Sequence, residues 1–193
     1  MIPENRLSTT NVPAGLLVPI NRNDALTDFE FAGVGLQNPS QGLNVQLWRL
    51  RYNEVTGEFL LSAPNYPETV QFVRANVSYV SLSFDSNMNP FIGFTENGVS
   101  KFWWYDTVLQ AQVFDETTIA TSSSPYATLD DRRQSQSAAR DVLLFYVRGG
   151  DLYYRQQRDR YTIERSLKTG VIGEVLLAGM QTNLRVGVTV GSF

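Results

Sequence analysis

The chain contains no cysteine and no histidine among its 193 residues. Those two absences remove thiolate nucleophiles, disulfides, the usual zinc ligand sets and any imidazole general base. Catalysis would have to rest on carboxylates, Tyr, Lys and Ser, and no spacing among them marks a catalytic set, so no catalytic residue, cofactor or metal site is expected. The lack of thiols leaves the redox compartment open, since such a chain tolerates either one. Nowhere does an apolar run approach the roughly 18 to 20 residues of a membrane span. Residues 1–10, with Glu4, Asn5 and Arg6, lack the basic start and apolar stretch of a secretory signal. The expectation is a protein made in a cytoplasm and used in water, with no membrane partner.

Apolar material for a core is present. Hydrophobic residues make up 42% and aromatics 12%, too much for an intrinsically disordered chain and enough for one large domain without staples. Net charge is −3, yet the charges are segregated along the chain. Between residues 53 and 131, Arg74 and Lys101 stand against ten acidic residues; between 132 and 168, nine basic residues stand against four acidic ones. Such asymmetry suits a molecule whose one face meets the opposite face of a neighbour. The plainer reading is that both sets are solvated and intermix on folding.

Residues 1–28, punctuated by Pro3, Pro13 and Pro19, read as an extended N-terminal arm ordered by what it packs against. Residues 29–193 read as a single β-rich domain. Strand-like stretches come in threes: 44–52, 58–63 and 69–74; then 78–85, 91–95 and 100–106; then 141–148, 151–157 and 160–167. Asn97-Gly98 and Gly149-Gly150 are the dipeptides that two-residue hairpin turns select. Three successive antiparallel meanders predict an all-β fold, forming a β-sandwich or partial β-propeller. Three units fall short of a closed monomeric propeller, leaving a sandwich or a ring completed by several chains. Residues 117–139, rich in Thr, Ser and Gln, read as a long loop with a possible short helix over 131–140, and residues 183–190 as a last strand.

Asp85, Asn87, Asn89 and Glu96 have the spacing of a calcium loop, but Pro90 stands where the sharp bend needs glycine. The intervening strand would also carry Glu96 roughly 20 Å away, so an Asx-rich hairpin turn is the better reading. In the run Phe102-Trp103-Trp104-Tyr105, alternate residues face opposite ways. One face belongs to a core and the other to a core or a subunit interface, in preference to a sugar-stacking platform. Residues 153–161 mix Tyr and Arg, yet Asp151, Asp159 and Glu164 argue against a dedicated nucleic-acid site. A glycosidase would need two facing carboxylates, or a tyrosine nucleophile with its own acidic partner, and the sequence alone brings no such pair together.

Asp130-Asp131-Arg132-Arg133, then DVLLFYVRGGDLYYRQQRDRYTIERSL over residues 141–167, then GMQTNLRVGV over residues 179–188, resemble the C-terminal region of small virion proteins of tailed bacteriophages. The N-terminal half carries no comparable resemblance. The resemblance implies a non-enzymatic tail component, assembled in the host cytoplasm into the virion. It would be a ring-forming hub, adaptor, nozzle or tail-tip subunit whose partners are other virion tail proteins. A homo-oligomeric ring would place Trp103, Trp104, Tyr105, Arg132, Arg133, Arg155, Arg158 and Arg160 at interfaces between subunits. The alternative is a carbohydrate-binding or host-receptor-binding β module.

Overall fold

The computed structural model describes residues 16–22, 28–37, 44–63, 66–85, 89–131, 140–180 and 186–192, and among them there is no α-helix. Four antiparallel sheets follow one another along the chain. The first contains β1 (Leu16–Arg22), β2 (Asp28–Gln37), β3 (Asn44–Asn53), β4 (Glu58–Ala63) and β5 (Tyr66–Val73). The second contains β6 (Val77–Phe84), β7 (Pro90–Glu96), β8 (Val99–Asp106) and β9 (Ala111–Asp115). The third contains β10 (Tyr126–Asp131), β11 (Arg140–Arg148), β12 (Asp151–Gln156) and β13 (Arg165–Lys168), and the fourth only β14 (Glu174–Met180) and β15 (Val186–Gly191). Within each sheet every strand pairs with the next in sequence, so the all-β meander expectation holds.

Two hairpins close as their dipeptides dictate. Glu96 pairs with Val99 and Arg148 with Asp151, which leaves two-residue loops. Asn97 and Gly98 have φ of 52° and 76°, Gly149 and Gly150 of 60° and 82°. Two successive left-handed residues form the turn whose twist matches that of the flanking strands, and Asn and Gly enter that region at least cost.

Three apolar cores alternate with the sheets. One joins Leu50, Tyr52, Phe59 and Leu61 of the first sheet to Val80, Leu82, Phe84, Ile92, Phe94 and Trp103 of the second. The next joins the other face of the second sheet, through Phe91, Phe102 and Trp104, to Val142, Leu144, Tyr146 and Tyr161. The last joins the far face of the third sheet, through Tyr126, Leu143, Phe145 and Leu152, to Val175 and Ala178 of the fourth. The second and third sheets are therefore buried on both faces, whereas a sheet in a two-layer sandwich buries one. The first strands β6, β10 and β14 lie side by side, and β1 approaches all three. Sheets stacked face to face with their first strands gathered at the centre make a partial propeller.

Small residues allow that gathering. The Ser81 hydroxyl donates to the Pro125 carbonyl at 2.7 Å and accepts from the Ala127 N–H at 3.3 Å, bridging β6 to β10. Gly93 of β7 lies opposite Ser81, and the Ser81 hydroxyl and the Pro125 carbonyl occupy the space its Cβ would fill. Farther out, the Tyr52 hydroxyl donates to the Arg74 carbonyl at 3.1 Å and accepts from the Val77 N–H at 3.3 Å, fixing the connection between the first and second sheets. Burial pushes the Tyr52 phenol up, outweighing the Val77 N–H. Tyr52→Phe strips both groups of their partner and should destabilise by about 1–3 kcal/mol. Thermal unfolding followed by circular dichroism would register this as a fall of several degrees.

The structure differs from the sequence expectation in several places. Residues 16–22, expected within the extended arm, are β1, paired to β2; residues 1–15 lie outside the described residues. Residues 160–167 are not one strand: a 3-10 turn at Gln157–Asp159 is followed by Arg160 and Tyr161, both with positive φ, before β13 begins at Arg165. The strands β2, β9, β10 and β14 fall where the sequence pattern marks no strand. Part of the loop expected over 117–139 is β10; residues 132–139, including most of the suggested helix, lie outside the described residues.

Candidate functional site

The densest polar cluster surrounds Arg155 on β12, in the second core's wall. β12 pairs with β11 so that Arg155 stands opposite Leu144. The run Tyr153-Tyr154-Arg155-Gln156 alternates as a strand, turning Arg155 and Tyr153 to the same side. Arg155 Nε donates to the Tyr146 hydroxyl at 2.7 Å, one terminal nitrogen donates to the Tyr161 carbonyl at 2.6 Å, and the other to the Thr118 carbonyl at 3.0 Å and to Glu164 at 3.4 Å. The Tyr146 hydroxyl donates to Glu164 Oε2, and Arg148 pairs with Oε1 of the same carboxylate. Burial, then the Glu164 carboxylate, push the Tyr146 phenol up, so it remains a protonated donor.

A tyrosine with its own acidic partner is the pair that a tyrosine-nucleophile glycosidase would need. Here the tyrosine is fully buried, and its oxygen is engaged both as donor and as acceptor. What the cluster does is join β11, β12, the segment before β13 and the loop after the second sheet.

A second cluster fixes the end of β8. Asp106 accepts from the N–H groups of Val108, at 2.8 Å, and Leu109, at 3.3 Å, and from Arg160 Nε at 3.1 Å. Burial pushes its carboxyl up, but the Arg160 guanidinium and the two N–H groups outweigh burial and hold it below its ordinary value of 3.8. A depressed carboxyl contributes stability that is complete above the unfolded value and lost as pH falls through the folded one. Asp106→Asn should therefore be destabilising at neutral pH and should shrink the loss of stability below pH 4, as pH-dependent urea unfolding would report; an unchanged acid limb would refute this.

Asp85 accepts from the Asn89 N–H and side-chain amide, both at 2.9 Å; Asn87 lies outside the described residues. Glu96 lies at the other end of β7 and pairs with Lys101. Among the described residues no three acidic side chains group to hold a metal ion, and no helix is long and apolar enough to cross a membrane.

The residues expected at subunit interfaces are dispersed. Trp103 and Trp104 are buried in two different cores, because both faces of β8 are covered. Arg155 is buried and engaged within the chain, so it offers no surface. Tyr105 is half-buried, and Arg158 and Arg160 are exposed; Arg132 and Arg133 lie outside the described residues. Folding brings the two stretches together where Arg160 of the basic one meets Asp106 of the acidic one, and within the basic stretch Arg148 meets Glu164 and Arg165 meets Asp159. A head-to-tail contact has correspondingly less charge to draw on.

The surface offers edges instead. β5, β9 and β13 end their sheets away from the centre, and Val70, Val73, Phe114 and Leu167 on them are exposed. No family model, curated protein or solved structure matches the chain.

Proposed function

We propose that the chain is a non-enzymatic structural subunit of a bacteriophage tail, present in several copies and joined to neighbouring virion proteins through its rim. The observation that carries this reading is the division of labour among its side chains. The polar clusters at Arg155 and Asp106 tie sheets and loops together inside the fold, while terminal strands with exposed apolar residues face outward. A fold that spends its polar groups on rigidity and leaves apolar side chains exposed on its outermost strands suits a building block, since exposed apolar surface marks contact with other chains. The resemblance over residues 130–190 points the same way. The genes flanking the one that encodes this chain provide the test. Neighbours encoding other tail or head proteins support the reading, and a neighbourhood of metabolic genes refutes it.

A receptor- or carbohydrate-binding module is the second reading, favoured by one observation. Tyr66 on β5 is exposed and stacks on Trp48 with ring centroids 5.1 Å apart. That pair, rather than the buried Trp103 and Trp104, is where a sugar ring could stack. Glycan-array binding abolished by Tyr66→Ala would favour this reading over the structural one.

A further inference from the structure

Among the described residues the fourth sheet has two strands, where the second and third have four. β14 lies against β10 and β11, and β15 turns Val186, Val188 and Val190 toward the core that holds Leu152 and Tyr154 of β12. A third and fourth strand would continue over β12 and β13, where Tyr154 is only half-covered. Among the described residues no strand pairs with the outer edge of β15.

Among the strands that end a sheet away from the centre, the composition of that edge sets it apart. β5 carries Pro67 and Glu68, β9 carries Asp115, and β13 carries Arg165 and Lys168. Charge and proline on a terminal strand are the usual guards against pairing with another chain. β15 reads Val-Gly-Val-Thr-Val-Gly, with no charge and no proline. An uncharged, β-branched strand at an open edge is a template for strand addition.

We infer that β15 pairs antiparallel with β15 of a second copy of this chain, so that two half-sheets form one four-stranded sheet, β14-β15-β15-β14, across a two-fold axis. The strand count decides for a second copy: two strands from each chain give the size of the second and third sheets. Antiparallel pairing of one strand with itself is isologous and closes at two chains. No charge on β15 has to be matched or buried by the pairing, and the three valines of each copy extend one apolar face across the joined sheet. The contact is independent of the tail assignment and would stand or fall without it.

Sedimentation equilibrium across a range of concentrations is the first test. The native chain should give about 43 kDa, twice its mass of 21.7 kDa. Thr189→Lys, placed at the exposed position of β15, should give the monomer mass with an unchanged circular dichroism spectrum. Because the chain has no cysteine, single cysteines at Gly187, Val188, Thr189 and Val190 supply a second readout that does not depend on the lysine variant folding. Oxidative cross-linking should peak at the residue nearest the two-fold axis and fall off on either side. A native chain that stays monomeric overturns the proposal, including the case in which residues 1–15 of the same chain cover the edge. An oligomer unaffected by Thr189→Lys, with no cross-link at any of the four positions, overturns it as well.

Discussion

Arg155→Ala should lower stability by about 3–5 kcal/mol, the range for breaking a buried ion-paired network by removing one partner. The guanidinium is the common donor to the Tyr146 hydroxyl, the Tyr161 carbonyl and the Thr118 carbonyl. Its loss leaves the buried Tyr161 carbonyl and the part-buried Thr118 carbonyl without a charged donor, while Glu164 keeps Arg148. For a domain of this size each kcal/mol moves the midpoint by about 2–4 °C, so thermal unfolding should shift by roughly 10 °C. Arg158→Ala, at an exposed position three residues along, should cost about 1 kcal/mol or less. Equal effects from the two would show that the cluster around Arg155 is not the tie described here.

Gly93→Val is the second large effect. A Cβ at residue 93 would stand 2.7 Å from Ser81 Oγ and 2.8 Å from the Pro125 carbonyl oxygen. Both distances are below van der Waals contact, and one of the atoms is backbone, so β6, β7 and the start of β10 must move apart. Overpacking of this kind costs about 1–3 kcal/mol. Dislodging the Ser81 hydroxyl strips the Pro125 carbonyl and the Ala127 N–H of a partner, about 1–3 kcal/mol more. Gly98→Ala provides the contrast: it has φ +76° and nothing near its would-be Cβ, so the penalty is confined to backbone conformation, about 1 kcal/mol. Urea midpoints for the two variants should separate clearly. If Gly93→Val matched Gly98→Ala, the first strands would not be gathered as tightly as the stacked sheets require.

How far the sequence revealed this fold depended on where each strand sits. Strands β3, β4, β6, β7, β8, β11 and β12 carry large apolar or aromatic residues and turn dipeptides of strong preference, and they fall where the alternation put them. β10 was hidden because Ala127, Asp130 and Asp131 are residue types depleted in strands, and the Ser- and Thr-rich stretch before it reads as loop. The Ser and Thr content that makes residues 117–125 look like a plain loop belongs to a stitched connection, in which Ser100 donates to the Ser123 carbonyl at 2.8 Å and Ser123 Oγ accepts from the Val147 N–H at 2.9 Å. The false strand at 160–167 arose because Tyr161 and Ile163 alternate, while the left-handed Arg160 and Tyr161 leave no mark on composition.

The candidate site was less legible still. Trp103 and Trp104 looked like interface anchors because alternation tells two faces apart without saying whether both are covered; stacking the second sheet between two others buries them both. Arg155, Arg158 and Arg160 read alike along the chain, yet a buried tie, a surface residue and a partner of Asp106 came of them. Pairing Tyr146 with Glu164 needed the register of β11 with β12 and the turn that follows, neither of which a spacing of 18 residues discloses.

The central claim, that this protein is a repeated structural part of a phage tail, is tested most directly on purified particles. Gold-labelled antibodies raised against the chain should decorate tails in negative-stain micrographs, and quantitative mass spectrometry should count several copies per particle. Particles that carry none of the chain, or a chain found free in the lysate and absent from every tail, would contradict the account.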